Sequence, residues 1–205
     1  MARTKSPTRR ADILLAARNA FNARGFAGAR MADIAADVGI SKAALYHDFA
    51  SKEALFEALT GELIDAMLPE AAPADFGEIS APDLLRGLIT VMAQRLTSPE
   101  MAFVPRVIIG EGMNFPGLAR YYHDRAIMRG LDTIERIIRH GIARGEFAAG
   151  DPRQACRTVV GGVVFGAIWK TVFEPVGAEP LDPAELAQVH ADTILDGLRT
   201  RRDGV

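Results

Sequence analysis

The sequence predicts an all-α protein with a small N-terminal three-helix domain and a larger C-terminal helical domain. Three observations support this fold class. Apolar residues recur three and four positions apart along most of the chain, short β-branched alternations are rare, and glycine or proline falls at the ends of the periodic stretches. With 205 residues, 49% of them hydrophobic, the chain is long enough to bury a substantial core.

Composition excludes several classes of protein. The single Cys156 cannot form a disulfide within the chain, and the basic, polar residues 1–12 are not followed by the apolar segment of a signal peptide. The longest uncharged stretch, residues 158–169, has 12 residues, against the roughly 20 that span a bilayer. We therefore expect a cytoplasmic protein that is not embedded in a membrane.

Charge is distributed unevenly along the chain. The formal net charge is -2, but residues 1–52 carry nine Lys or Arg against four acids, and the rest of the chain carries 15 against 22. Clustered bases are what a phosphate backbone requires. The N-terminal part therefore either meets a polyanion or has an ordinary solvated surface of mixed sign.

The N-terminal domain is predicted to begin with a helix over residues 8–24. Gly25 supplies the left-handed position that ends a helix, and Phe26 turns back onto its apolar face. That face consists of Ile13, Leu14, Ala17, Ala20 and Phe21.

Two short helices are predicted next, over residues 31–38 and 42–49. Gly39 permits the turn between them, Ser41 can cap the second helix, and apolar side chains of both helices form a small shared core. This is a helix-turn-helix pattern, although any compact helical pair could share its apolar spacing. Donors suited to phosphates and base edges lie on or beside the second helix, namely Ser41, Lys42, Tyr46, His47 and Lys52.

Capping residues mark the remaining helices. Ser51 opens a connecting helix over residues 52–68, and the Pro- and Ala-rich residues 69–82 are predicted to be a linker. Asp151-Pro152 and Asp182-Pro183 each place a capping acid before a proline at the first helical position. The helices predicted in the second domain cover residues 82–95, 99–112, 116–144, 152–173 and 183–200.

The stretch GFAGARMADIAADVGISKAALYHDFASKEALF, residues 25–56, closely resembles the N-terminal DNA-binding domain of TetR-family transcriptional regulators. The aromatic after Gly25, Asp-Ile-Ala, Gly-Ile-Ser-Lys, Leu-Tyr-x-x-Phe and Ser-Lys-Glu-Ala-Leu carry the match, which covers about residues 8–60. The resemblance implies a homodimer that joins through its last two helices. Residues 1–52 would bind double-stranded DNA at a palindromic operator. Residues 69–205 would bind a small apolar or amphipathic effector, which releases the protein from the operator.

By position, the resemblance implies DNA contacts from Arg30, Ser41, Lys42, Tyr46, His47 and Lys52, with Lys52 clamping a phosphate. Two positions depart from the family pattern. Ala29-Arg30 replaces a Thr pair that caps the first short helix, so Arg30 could contact phosphate instead. Asp48 either accepts from a cytosine amino group, pairs with Arg or Lys, or points away from DNA.

Three glycines, Gly161, Gly162 and Gly166, interrupt the apolar helix over residues 152–173. Each costs up to about 1 kcal/mol relative to alanine in a helix interior, so the close approach of another helix is expected to compensate. Because the resemblance places the dimer interface here, we expect the glycine face in a four-helix dimer seam. The alternative is a helix buried within its own chain.

Bulky residues without an evident surface role are the candidates for an effector pocket, because methionine and aromatic side chains form adaptable apolar sites. Glu111 and the pair Tyr121 and Tyr122 are candidate polar anchors, although most residues of such a set are usually ordinary core. The predicted pocket residues are Met92, Phe103, Ile108, Glu111, Met113, Tyr122, Met128, Phe165 and Trp169, with Phe115 and Phe173 as further candidates.

No enzyme is predicted. The sequence has no Gly-rich phosphate loop, no Cys-x-x-Cys or His-Glu-x-x-His and no Gly-x-Ser-x-Gly, so no catalytic residue, cofactor or metal is expected. Two alternatives remain open: a redox-sensing Cys156 near Arg153 and Arg157, and a helical interaction module without a DNA role. Repressor and activator are not distinguished by the sequence.

Overall fold

The computed structural model describes residues 7–68, 76–148 and 150–199. Regular secondary structure in these ranges is helical, apart from an isolated backbone bridge between Phe147 and Arg199. The predicted all-α fold class is confirmed. The basic residues Arg3 and Lys5, most of the predicted linker and the predicted helix end at residue 200 lie outside the described residues.

Ten α-helices make up the described part of the chain. The first four are α1 (Pro7–Gly28), α2 (Met31–Asp37), α3 (Lys42–Asp48) and the connecting helix α4 (Lys52–Met67). The others are α5 (Ala81–Leu96), α6 (Phe103–Glu111), α7 (Pro116–Tyr122), α8 (Met128–Ala143), α9 (Pro152–Ile168) and α10 (Pro183–Leu198). We call α1 to α3 the head and α5 to α10 the body.

Side-chain caps fix the predicted helix starts. The Ser41 hydroxyl accepts from the Ala44 amide at 3.1 Å, and Ser51 caps α4 in the same way. Asp151 and Asp182 each accept from the second amide after them, at 3.0 and 2.8 Å. These bonds satisfy amides that a helix start otherwise leaves unpaired.

Several helices differ from the predicted ranges, and α6 begins four residues later than predicted. Gly25 has a φ of 68° and breaks α1 at the predicted left-handed position, but helical residues continue to Gly28. The long helix predicted over residues 116–144 is divided by a π-helical turn at His123–Ile127. A second π-helical turn, Trp169–Phe173, follows α9. Each π turn adds a residue to the helical repeat and rotates the faces that follow it.

An aromatic cluster joins the head to the body. Phe21 and Phe26 of the head and Phe56 of α4 are fully buried, and Phe103 of the body packs against Phe21 and Phe56 with ring centroids 6.1 and 5.9 Å apart. Phe115 completes the cluster with a centroid 4.8 Å from that of Phe26. The two domains therefore share one core.

The glycine face of α9 packs against α10 of the same chain. A Cβ at Gly162 would lie 2.5 Å from the His190 ring, and one at Gly166 would lie 2.3 Å from the Leu186 side chain. Gly162 and Gly166 are thus explained by intrachain packing on α10, as the alternative expects. A four-helix dimer seam, in which α9 and α10 of each copy would also pack on each other, stays a prediction. Gly161 differs, since no atom lies within 4 Å of its Cβ position.

Pro152–Val176 is, within the described ranges, the one stretch long and apolar enough to cross a membrane. Length and composition alone are weak evidence for insertion, because helices of water-soluble proteins pass the same test. The stretch contacts α5, α6, α8 and α10, and four of its apolar side chains are exposed: Phe165, Val172, Phe173 and Val176.

Candidate nucleic-acid interface and cavity

The outward face of α3 carries the predicted DNA-contacting side chains. Leu45 is fully buried and holds the helix against the head, while Lys42, Tyr46 and His47 are exposed. The Lys42 ammonium lies 5.7 Å from the centre of the Tyr46 ring, and the His47 side chain is 79% exposed. The face thus offers a cation, a phenol and an imidazole, each able to donate to a phosphate or a base edge.

Asp48 is paired within the head. Its Oδ2 lies 2.7 Å from an Arg9 nitrogen, and its side chain is only 14% exposed. The same Arg9 nitrogen donates to the Ala44 carbonyl at 3.1 Å. Of the alternatives open for Asp48, the structure gives pairing with an arginine, which neutralises a charge that would otherwise repel nearby phosphates.

Arg30 lies at the start of α2. Its backbone is extended, and its side chain forms no cap for that helix and is exposed. The capping hydroxyl expected from the family pattern is thus not replaced by Arg30, whose charge faces the solvent.

Lys52 is held inside a turn rather than presented outward. Its ammonium donates to the carbonyls of Phe26 at 2.6 Å, Ala27 at 3.2 Å and Ala29 at 3.0 Å. It also lies 4.5 Å from the centre of the Phe26 ring, and burial lowers the pKa of Lys52. The structure thus places the Lys52 ammonium on three carbonyls of its own chain, and the predicted phosphate contact stays a prediction.

Glu111, at the end of α6 in the body, binds the same turn. Its carboxylate accepts from the amides of Phe26 at 2.7 Å and Ala27 at 2.6 Å. Arg106, one turn earlier on α6, donates to the Asn22 carbonyl at 2.8 Å. The prediction that Glu111 anchors a ligand needs correction, because its carboxylate instead docks α6 onto the head.

The body contains a cavity of about 460 Å³. It lies between the end of α4 and helices α5 to α9, and all but two of its lining side chains are apolar. The two polar side chains are Tyr122 and Arg157. Such a mostly apolar cavity with few polar groups has the character and size of a small-molecule site.

Three predicted pocket residues line this cavity, namely Met92, Ile108 and Tyr122. The others lie elsewhere and need correction. Phe103 belongs to the buried aromatic cluster, and Met113 and Met128 are 93% and 49% exposed. Phe165 is 58% exposed, and Trp169 likewise does not line the cavity.

A row of cavity-lining residues on α9, the α9 stripe, is not among the predicted pocket residues. Arg157, Val160, Gly161, Val164 and Ala167 all line the cavity. Their spacing of three and four places them on one face. That spacing was visible in the sequence, but it does not distinguish a cavity wall from ordinary core.

Three aromatic rings follow one another along α9 and the π-helical turn after it, and we call them the aromatic ladder: the exposed Phe165 and Phe173 and the half-buried Trp169. Their successive ring centroids are 6.1 and 5.6 Å apart. Val176 and Val189 nearby are 80% and 60% exposed. The last two helices therefore present an apolar outer face.

Cys156 is buried, and burial raises the pKa of its thiol to about 11. The thiol stays protonated at neutral pH and lacks the thiolate on which redox sensing depends. Within the part of the chain that the structure describes, there is no group of three His, Cys, Asp or Glu residues able to hold a metal.

Two family models match the chain, one for each domain. Residues 13–59 match bacterial regulatory proteins of the tetR family, and residues 83–196 match the C-terminal domain of AefR-like transcriptional repressors. The transcriptional repressor AcnR of Corynebacterium diphtheriae is 36% identical over 100 residues, which cover 49% of this chain and 46% of that protein. The chain thus aligns with less than half of that relative's length.

Two further similarities extend over more of the chain. The transcriptional regulator SrpR of Pseudomonas putida is 22% identical over 161 residues, covering 78% of this chain and 74% of that protein. A solved regulatory protein of the tetR family from Rhodococcus RHA1 is 24% identical, with a TM-score of 0.72, covering 95% of this chain and 98% of that one. This likeness supports the fold of both domains.

Proposed function

Since this chain belongs to the TetR family of bacterial transcriptional regulators, we propose that it represses transcription as a ligand-controlled cytoplasmic homodimer. One observation carries the proposal: α6 forms a wall of the body cavity through Ile108 and holds the head through Glu111. A molecule in the cavity would thereby act on the same helix that orients the DNA-binding face.

The DNA-binding surface is the outward face of α3. Lys42, Tyr46 and His47 are exposed there, and the pairing of Asp48 with Arg9 removes an opposing charge. Arg30 adds a cation at the start of α2. Phosphate contacts would set the register of the head, while side chains of α3 that reach base edges would read the sequence.

The aromatic ladder supports dimerisation through the last two helices. Phe165 and Phe173 are 58% and 40% exposed, which is costly for a surface that meets only water. A second copy of the same face would cover them in an isologous contact. Two heads could then meet half-sites about 34–36 Å apart on a palindrome.

Control by an effector follows from two arrangements of the heads. In one arrangement the heads match the operator half-sites, and in the other they do not. An effector that binds more tightly to the second arrangement weakens operator binding, and the size of this effect is limited by the ratio of the effector's affinities for the two arrangements. The cavity supplies the binding site, and α6 together with α4 connects it to the head.

The proposal is tested by selecting bound sequences from a pool of random duplex DNA with the purified protein. We expect enrichment of two inverted half-sites, and loss of that enrichment in the triple variant Lys42→Ala, Tyr46→Ala, His47→Ala. Circular dichroism should show unchanged helix content, because all three side chains are exposed. No enrichment by the ligand-free protein would reject the proposal in favour of a helical interaction module.

A further inference from the structure

The lining of the body cavity indicates the chemistry of its ligand. We propose that it binds an amphipathic monoanion, with an unbranched apolar chain inside the cavity and a carboxylate at Arg157. The inference rests on the proposed function only in taking this cavity to be the effector site.

The α9 stripe indicates the length and shape of the apolar part of the ligand. Ala167 lies ten positions after Arg157 on the same helix, or about 15 Å along the axis at the helical rise of 1.5 Å per residue. Val160 and Val164 lie between these ends. An extended hydrocarbon chain can run along this stripe and bury its surface over the whole length.

Gly161 leaves space in the middle of the stripe. The Cβ position of the neighbouring Gly162 is crowded by His190, whereas that of Gly161 has no atom within 4 Å. Glycine costs up to about 1 kcal/mol in a helix interior relative to alanine, and helix packing does not account for it here. Room for a ligand beside the backbone does.

Among the residues that the structure describes, no carboxylate pairs with Arg157. It lines the cavity, its side chain is exposed, and its hydrogen bond goes to the neutral Gln154 side chain at 3.1 Å. Arg153, one turn earlier on the same helix, is instead 3.6 Å from Glu135. The planar guanidinium of Arg157 is therefore available for the two parallel hydrogen bonds that a carboxylate accepts.

A cationic ligand has no counterpart in this lining. None of the described lining residues is acidic, and the remaining polar group is the Tyr122 hydroxyl. Burial raises the pKa of Tyr122 to about 12, so the phenol stays neutral at physiological pH. Its hydroxyl makes no hydrogen bond to the described residues and can pair with a ligand oxygen.

Isothermal titration calorimetry with three probes of equal chain length tests the inference: decanoate, decanol and decyltrimethylammonium. We expect the full-length protein to bind decanoate about fivefold more tightly than decanol and to bind the ammonium most weakly. The preference for decanoate is modest because the ion pair between its carboxylate and Arg157 would be exposed to solvent. Arg157→Gln should remove the preference for decanoate over decanol, and Arg157→Lys should retain part of it. The matched control Arg153→Gln should leave it unchanged.

A second variant tests the position of the chain. Gly161→Leu should weaken decanoate and decanol alike, by about tenfold or more, because the added side chain occupies the cavity. The inference is overturned by equal binding of decanoate and decanol, by a preference that survives Arg157→Gln, or by no binding of any probe. Selection of duplex DNA with the same protein tests the proposed DNA-binding function separately, so the two failures are distinguishable.

Discussion

The carboxylate of Glu111, at the end of α6, accepts a hydrogen bond from the backbone amide of Phe26 in the head at 2.7 Å. The second carboxylate oxygen accepts from Ala27 at 2.6 Å. The Lys52 ammonium holds the carbonyls of the same two residues from α4. The turn after Gly25 is thus held by one side chain through its amides and by another through its carbonyls.

Glu111→Ala should weaken the contact between head and body. Hydrogen bonds to charged groups contribute about 1.5–3 kcal/mol, and partial exposure lowers the expected loss of unfolding free energy to about 1–2 kcal/mol. Urea unfolding measures this loss. In the control, Glu62→Ala removes an exposed pair with Arg10 and should change stability by less than about 0.5 kcal/mol. Equal losses in the two variants would contradict the docking role.

Lys52→Ala should lower stability more than it changes the salt dependence of DNA binding. Removing a donor shared by three carbonyls is expected to cost about 1–3 kcal/mol of unfolding free energy. Lys42→Ala should do the reverse, leaving stability within about 0.5 kcal/mol and reducing the slope of log K against log salt by about one if Lys42 meets a phosphate. If Lys52→Ala instead has normal stability and a reduced slope of log K against log salt, Lys52 contacts a DNA phosphate.

Replacing Phe165 and Phe173 together by glutamate should convert the proposed dimer to monomers. The two added charges would be buried without partners in the proposed interface, which is strongly unfavourable. Sedimentation velocity measures the change in mass. Ile79→Glu serves as the control, because Ile79 is 55% exposed and lies outside the last two helices. A double variant that remains dimeric would show that the aromatic ladder is not the dimer interface.

Glu146 should contribute to stability in a pH-dependent way. Its hydrogen bond from Arg144, followed by that from the Ala81 amide, holds its pKa below the ordinary 4.5. Because the pKa is lower in the folded chain, the stabilisation is complete above the ordinary value and disappears as the pH falls through the lowered one.

Glu146→Gln should therefore be less stable than the unchanged protein at neutral pH and should lose less stability on acidification. Urea midpoints at about pH 7 and about pH 3 measure both effects. Glu78→Gln is the matched control, because Glu78 meets the same Arg144 at 3.5 Å but its side chain is 98% exposed. Parallel pH profiles for all three proteins would contradict the prediction.

Local signals were sufficient to predict most helices. Ser41, Ser51, Asp151 and Asp182 cap the helices that they were expected to cap, because a cap depends on residues adjacent in sequence. The π turn at His123–Ile127 has no such local signal, so a single long helix was predicted there.

The long-range contacts could not be predicted in the same way. Glu111 lies 85 residues from Phe26 and was assigned to a pocket, because nothing near it in sequence indicates the turn that it meets. Lys52 was expected to face DNA, since its three carbonyl partners become visible only when α1 and α4 pack. Gly161 and Gly162 are neighbours in sequence, yet one faces the cavity and the other faces α10.

A ligand in the body cavity is proposed to control DNA binding by the head. The most direct test is the affinity for the selected duplex, measured by fluorescence anisotropy with and without saturating decanoate. We expect decanoate to weaken binding by about fivefold or more, and to have little effect on Gly161→Leu, whose cavity is filled. Unchanged affinity at concentrations of decanoate that calorimetry shows to fill the cavity would contradict the claim.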